Sequence, residues 1–257
     1  HAQAGPNPEL KSLFKKLAHL YCILCEVRIV FDGPAKPTIK RGMHVVKTPP
    51  WITEPFKHFA QVLGFTVHNA VGDAEAELAT LSHNSVIDAV ITEVSDALVF
   101  RASHIFQRDP DCPDNMIIYS ADNIQGHKQV TLSDGGLLLM ALICGGDYHD
   151  GLLGCGWKTA RGLAQYGVGD ELLRAAQAHS LMSGHEGLKD YIHDWADCVR
   201  EILVKDPLGH IGRRHPKILD SFLNNFPEVS VVLAYVKPTV NRHNSDTSQF
   251  FISSQGL

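Results

Sequence analysis

The chain has 257 residues and a mass of 28.3 kDa, so one large α/β domain or a core with a smaller appendage both fit. Hydrophobic residues make up 44%, charged residues 20% and aromatic residues 8%, a globular balance that excludes disordered, collagen-like and low-complexity classes. With 28 acidic against 23 basic side chains and a net charge of −5, no global basic excess announces a nucleic-acid partner, and any such site must be local.

The longest apolar candidate, Leu137 to Cys144, is far shorter than the roughly 18 residues of a membrane-spanning helix, so a soluble protein with no membrane partner is expected. The chain starts at His1 without the basic start and apolar run of a secretory signal, and reads as a cut or incomplete start. Six cysteines are few for this length, and four of them stand amid apolar or small residues, as reduced buried thiols do. An intracellular compartment is the expectation. Cys22-x-x-Cys25 lacks a second pair at zinc-ligand spacing and reads as core packing.

Taken in order, Asn7 caps a helix carrying Leu10, Leu13, Phe14, Leu17 and Leu20 at helical spacing. The β-rich Val27 to Phe31 follows and stops at Asp32-Gly33-Pro34. Pro37, Pro49, Pro50 and Pro55 among Lys36, Lys40, Arg41 and Lys47 then make a basic, irregular connection. A helix from Phe56 to Leu63, a strand from Phe65 to His68 and a helix from Asp73 to Leu81 with an acidic first turn come next. Ala89 to Ile91 and Met116 to Tyr119 read as strands, with Val99-Phe100 a short extended piece between them.

Helices dominate from there. Ser133 caps an apolar helix to Cys144, Gly145-Gly146-Asp147 breaks it, and a turn with Gly151, Gly154 and Gly156 opens another helix from Lys158. Tyr191 to Val204 is the longest candidate, no solenoid repeat is present, and the polar tail from Asn241 to Leu257 is expected to be loose. The alternation of strands and helices implies an α/β fold with a mostly parallel central sheet flanked by helices.

Ligands of parallel α/β sheets gather beyond the carboxyl ends of the strands, and acidic residues fall there: Asp32 after the first strand, Asp73, Glu75 and Glu77 after the second, Asp96 after the third. Asp147 stands at a helix break. At about 100° per residue Asp73 and Glu77 share a helical face and Glu75 is turned about 200° away, so only part of this set can converge. Each acid alone has an ordinary role as turn former, helix-start acid or cap. Convergence would suit Mg²⁺ or Mn²⁺, which in turn suit phosphate oxygens. Two such ions about 4 Å apart support in-line phosphoryl displacement.

No Ser/His/Asp nucleophile motif, Walker loop or Rossmann fingerprint competes. The turn from Gly151 to Lys158 would offer backbone N–H groups and an ammonium to an anion, or simply join two helices. Lys36, Lys40 and Arg41 are in the same way a solvated loop or a phosphate-gripping patch. His68, His83 and His149, nearest the acidic motifs, read as surface or satisfied histidines.

These motifs resemble the XPG/flap-endonuclease family of structure-selective nucleases, most of all its GEN/Yen-type Holliday-junction resolvases. The resemblance rests on Val30-Phe31-Asp32-Gly33-Pro34 with Lys40-Arg41-Gly42, on Gly72 to Ala79, on Asp88 to Asp96, and on Gly145-Gly146-Asp147-Tyr148 leading to Gly151 through Gly156. Gly-Cys-Gly at 154 to 156, with Asn225-Phe226-Pro227, Tyr235 and Pro238 downstream, is similar to the resolvase branch.

The resemblance implies a PIN-like nuclease core over residues 1–145 that lacks the family's usual first strand, a helical DNA-binding part with a helix-two-turn-helix over 146–240, and a loose tail over 241–257. It implies that Asp32, Asp73, Glu75, Asp96 and Asp147 are catalytic and hold two Mg²⁺ (or Mn²⁺) ions, with Glu77 as their neighbour. Gly154, Gly156 and Lys158 would grip duplex backbone, and Lys36, Lys40 and Arg41 would approach the strand being cut. The implied activity is metal-dependent cutting of branched double-stranded DNA, flaps and four-way junctions, in repair and recombination in the nucleus. Pairing of two copies on a four-way junction is left open.

Val94 stands where the family has an aspartate, Asp73 where glutamate is usual, and the family's methionine-glycine start, first strand and early aspartate do not precede His1. Valine offers no ligand to Mg²⁺. The alternative is therefore a catalytically impaired relative that binds DNA structure without turnover.

Overall fold

Helix α1 (Pro8–Tyr21) starts where the apolar spacing places it, but not by the expected cap. Asn7 sits in the left-handed region at φ 58° and its side chain caps nothing; Pro8, with its fixed φ, is the first helical residue instead. The computed structural model describes residues 7–37, 39–40, 43–44, 50–112, 115–180, 186–212 and 226–241, with 39–40 and 43–44 in their backbone only.

Strand β1 (Arg28–Phe31) pairs in parallel with β4 (Thr66–Asn69), Arg28 opposite Thr66 and Phe31 opposite Asn69. Between them come β2 (Ile39–Lys40) and β3 (Met43–His44), a short antiparallel pair inside the connection expected to be irregular, and α2 (Thr53–Val62). Pro55 is accommodated because it lies in the first turn of α2, where its missing N–H has no partner to lose. Phe59 of α2 meets Phe14 of α1 edge-on, with ring centroids 5.9 Å apart, and Phe56 meets Phe31 at 5.7 Å. These contacts cover one face of the β1–β4 pair.

The second sheet runs β5 (Val90–Ile91), β6 (His104–Arg108), β7 (Met116–Ser120), parallel between β5 and β6 and antiparallel between β6 and β7. Helix α3 (Ala74–His83) touches both β1 and β5 and so bridges the two sheets, which are not hydrogen-bonded to each other among the described residues. The expected extended piece at Val99-Phe100 is helical: α4 (Asp96–Val99) ends with the Phe100 N–H donating to the Asp96 carbonyl at 3.0 Å. Burial of the Phe100 ring against Tyr148 and Tyr235 overrides its strand propensity.

After α5 (Ala121–Gly126), α6 (Asp134–Cys144) opens as read, with Ser133 Oγ accepting from the Gly136 N–H at 3.0 Å. This helix is apolar on nearly every face, which fits its central place between α7 (Trp157–Ala164) and α8 (Val168–Ser180). Leu138, Leu139, Leu142 and Ile143 are buried with Leu163, Leu172, Leu188 and Leu203, each worth about 1.5–3 kcal/mol of apolar burial. Helices α9 (Glu186–Lys205) and α10 (Val229–Val236) complete the helical part.

The fold class is the expected one, an α/β core with its strands covered by helices. The cysteines correct the sequence reading: Cys155 is buried, whereas Cys22, Cys25, Cys112, Cys144 and Cys198 are exposed. Cys22 and Cys25 lie in the bend after α1, where the chain has left the core, so local apolar neighbours do not translate into burial. Among the described residues no helix is long and apolar enough to cross a membrane.

Candidate active site

The carboxyl end of β1 is stitched to the loop ahead of α3. Gly33 donates its N–H to the Gly72 carbonyl at 2.7 Å, and Ala35 donates to Val71 at 2.9 Å. A Cβ on Gly33 would lie 1.9 Å from the Ala70 carbonyl oxygen, so only glycine permits this approach. The stitch puts Asp32 beside the first turn of α3, where its Oδ1 accepts from the Ala74 N–H at 3.0 Å. A carboxylate at a helix N-terminus is favoured by the helix dipole, and Asp32 fills that place across 42 residues of chain.

Asp73 occupies the N-cap position of α3 with extended backbone (φ −75°, ψ 137°), yet its side chain caps nothing. Its Oδ2 accepts instead from the Tyr148 hydroxyl at 2.5 Å, and the residue is 4% exposed. Asp32, Asp73 and Glu75 each offer one carboxylate oxygen, and these oxygens lie within 4.8 Å of one another. This differs from the helical-wheel expectation, in which Asp73 and Glu77 share a face. The 100° step applies within a helix, and Asp73 stands outside it, so it converges with Glu75.

Glu77 turns the other way and is fully buried. Its Oε1 lies 3.1 Å from His68 Nε2, and it accepts from the Asn241 backbone N–H at Oε2 (2.9 Å) and from Asn241 Nδ2 at Oε1 (3.1 Å). His68 is a satisfied histidine, and His149 likewise, its Nδ1 accepting from the Gly151 N–H at 2.7 Å. Asn241 is thus pinned, and the rest of the expected tail lies outside the described residues.

Asp96 opens α4 and Asp147 lies in the turn closed by the Gly146–His149 bridge. Neither belongs to the cluster of Asp32, Asp73 and Glu75. Their charges act on the tyrosine pair beside it. Burial first, then the hydrogen bond and charge of Asp73, and further down the charge of Asp147, push the Tyr148 hydroxyl well above the ordinary range. Burial and then the Asp96 charge do the same to Tyr235. Both phenols stay protonated at any physiological pH. Val94, 42% exposed between β5 and α4, brings no oxygen donor to this region.

The donor set fits a hard divalent cation: three carboxylates, with no nitrogen or sulfur ligand among them. Lys36 Nζ stands 3.9 Å from Asp32 Oδ2 and offsets part of the charge. Farther off, Gly154 and Gly156 face open space, and Gly156 is the N-cap of α7. Lys158 Nζ lies 5.7 Å over the Trp157 ring. Leu153 and Trp157 are 87% and 58% exposed beside this turn, an apolar pair that glycine spacing alone does not reveal. Lys40 is described only in its backbone, in β2, and Arg41 lies outside the described residues.

Strands in short parallel pieces under helices, with acids collected at their carboxyl ends, make an α/β core of the PIN-like nuclease class. The XPG I-region family model matches residues 64–147. Among curated proteins, the chain is 27% identical over 194 residues to single-strand DNA endonuclease 1 of Oryza sativa subsp. japonica, covering 64% of this chain and 30% of the relative. It is 28% identical over 160 residues to flap endonuclease 1-A of Sorghum bicolor, covering 61% and 42%. Among solved structures, the eukaryotic junction-resolving enzyme GEN-1 bound to potassium superposes with a TM-score of 0.73 at 28% identity, over 94% of this chain and 54% of that one. GEN1 in complex with product DNA and Mg²⁺ superposes with a TM-score of 0.70. The chain therefore spans less than half of these curated relatives and about half of GEN-1. By I-region, sequence relatives and fold it is similar to the XPG/flap-endonuclease family, GEN-1 among its structural neighbours.

Proposed function

We propose that this chain is the nuclease part of a structure-selective, divalent-metal-dependent DNA endonuclease that acts on branched double-stranded DNA, flaps and four-way junctions, in nuclear repair and recombination. The observation that carries the reading is the meeting of Asp32, Asp73 and Glu75 within 4.8 Å at the joint of β1 and α3. Asp32, Asp73 and Glu75 would hold Mg²⁺ or Mn²⁺, and Asp96 and Asp147 would serve a second ion. When bound, such ions supply Lewis acidity toward a phosphodiester oxygen and the attacking water. The protein's part is to fix the carboxylates: the Gly33 stitch holds Asp32, and the Tyr148 hydroxyl holds Asp73.

Residues 1–145 form the nuclease core in this reading, with α3 bridging the β1–β4 and β5–β6–β7 pieces. Residues 146–240 form the DNA-binding part, with Gly154, Gly156 and Lys158 on duplex backbone, and Lys36, Lys40 and Arg41 toward the cut strand. The fold shared with GEN1 in complex with product DNA and Mg²⁺ supports a DNA-binding nuclease.

A second reading, favoured by Val94, keeps DNA-structure binding and loses turnover. Incubation with labelled flap and four-way-junction DNA, with Mg²⁺ and with EDTA, separates the two. Metal-dependent nicking supports the nuclease. Tight binding without nicking supports the impaired relative, and loss of both would overturn the family-based function altogether.

A further inference from the structure

Asp73 has two uses available to it, and the structure shows it in the less local one. Aspartate at an N-cap ordinarily accepts from the N–H groups of the second or third helical residue. Asp73 stands at that position of α3 and makes no such bond. Its Oδ2 is engaged by the Tyr148 hydroxyl at 2.5 Å, across 75 residues of chain. An ionised carboxylate only accepts, so the phenol is the donor, and hydrogen bonds of this charge-assisted kind are short and strong.

The phenol is itself held in place. The Tyr148 ring packs edge-on against Phe100 (6.2 Å) and Tyr235 (4.8 Å). Tyr235 lies so close to Gly146 that a Cβ there would come 2.3 Å from its hydroxyl. The turn that carries Tyr148 is closed by the Gly146 N–H donating to the His149 carbonyl at 2.9 Å, and His149 Nδ1 accepts from Gly151. A side chain braced by two rings and a hydrogen-bonded turn loses little further entropy in holding Asp73.

We propose that Tyr148 is a positioning residue that draws Asp73 out of its helix-capping role and keeps its carboxylate in the cluster with Asp32 and Glu75. The proposal rests on the reading of that cluster as a metal site. It separates a cation-holding role for Tyr148 from a merely structural one, because Tyr148→Phe keeps the ring packing and gives Asp73 back to the helix as a cap.

The test is a titration of the full chain with Mn²⁺ alone, following free Mn²⁺ by electron paramagnetic resonance, alongside thermal unfolding in EDTA. The expected result is a roughly 10–100-fold loss of Mn²⁺ affinity in Tyr148→Phe, the range found for removal of partners that orient metal ligands. The unfolding midpoint in EDTA should be unchanged or slightly raised. Tyr235→Phe, whose hydroxyl is not bonded to Asp73, should bind Mn²⁺ as the wild type does. Tyr148→Phe combined with Asp73→Asn should bind no more weakly than Asp73→Asn alone. Equal Mn²⁺ affinity in wild type and Tyr148→Phe, or a lowered midpoint in EDTA with unchanged affinity, overturns the positioning role. A wild-type chain that takes up no Mn²⁺ overturns the metal-site reading beneath it.

Discussion

Asn241 and Glu77, 164 residues apart, are joined by two hydrogen bonds, one from the Asn241 backbone at 2.9 Å and one from its side chain at 3.1 Å. Glu77 has no exposure to solvent, and His68 is a further partner. The chain leaving α10 is thereby tied to the helix that carries Glu75, and Thr239 packs against Gly72 on the way. An acid next in line to the ligand set has a joining role.

Removing the Asn241 side chain leaves Glu77 and His68 short of a donor. Asn241→Ala is expected to cost about 1–3 kcal/mol, the penalty for an unsatisfied buried polar group. Thermal or urea unfolding in EDTA measures it, and an unchanged midpoint would show that the Asn241 side-chain bonds carry no stability.

The cluster itself predicts an ordering of variants. Asp32→Asn and Glu75→Gln should each weaken Mn²⁺ binding and lower junction cleavage together, because each removes charge from one shared site. Val94→Asp adds a carboxylate at a half-open position between β5 and α4 and is expected to raise cleavage at a fixed Mg²⁺ concentration. Rates on a labelled four-way junction across a Mg²⁺ series check both, and a Val94→Asp chain no faster than wild type would show that Val94 does not limit cleavage.

For the glycine turn, Lys158→Glu should weaken duplex and junction binding while Mn²⁺ affinity stays the same. Phosphate contacts make affinity fall with salt and vary little with base sequence, and losing one contact reduces the log-log salt slope by about 1. Fluorescence anisotropy at several salt concentrations reads this directly. Unaltered junction affinity would assign the turn to helix connection only.

The thiols differ in a way that pH exposes. Burial, then the neighbouring Cys144, pushes the Cys155 thiol up to about 11, so below that pH its thiolate is scarce and alkylation is slow. Cys22, Cys25 and Cys112 are exposed and should react with iodoacetamide at pH 8 well before Cys155. Mass mapping of the alkylated sites checks the order, and early labelling of Cys155 would contradict its burial.

Much of this fold is legible in local pattern. Ser133 with an apolar run after it announces α6 and its cap, and the spacing around Ile192, Trp195 and Val199 announces α9, because both signals are local. Less legible is β6, whose apolar content is confined to Ile105-Phe106, and α4, which forms because Phe100 is buried by residues far away in sequence. The exposed Cys22 and Cys25 fall in the same class, since burial depends on where the chain lies. In the site, the convergence of acids could be anticipated from strand ends. The choice between Glu75 and Glu77 could not, because it turns on Asp73 standing at the N-cap and on the reach of Tyr148, both set by tertiary structure.

The most direct test of the central claim is the anomalous difference density of crystals soaked in Mn²⁺. A peak ligated by Asp32, Asp73 and Glu75 is the expected result. Density at other carboxylates with none among these three would contradict the account.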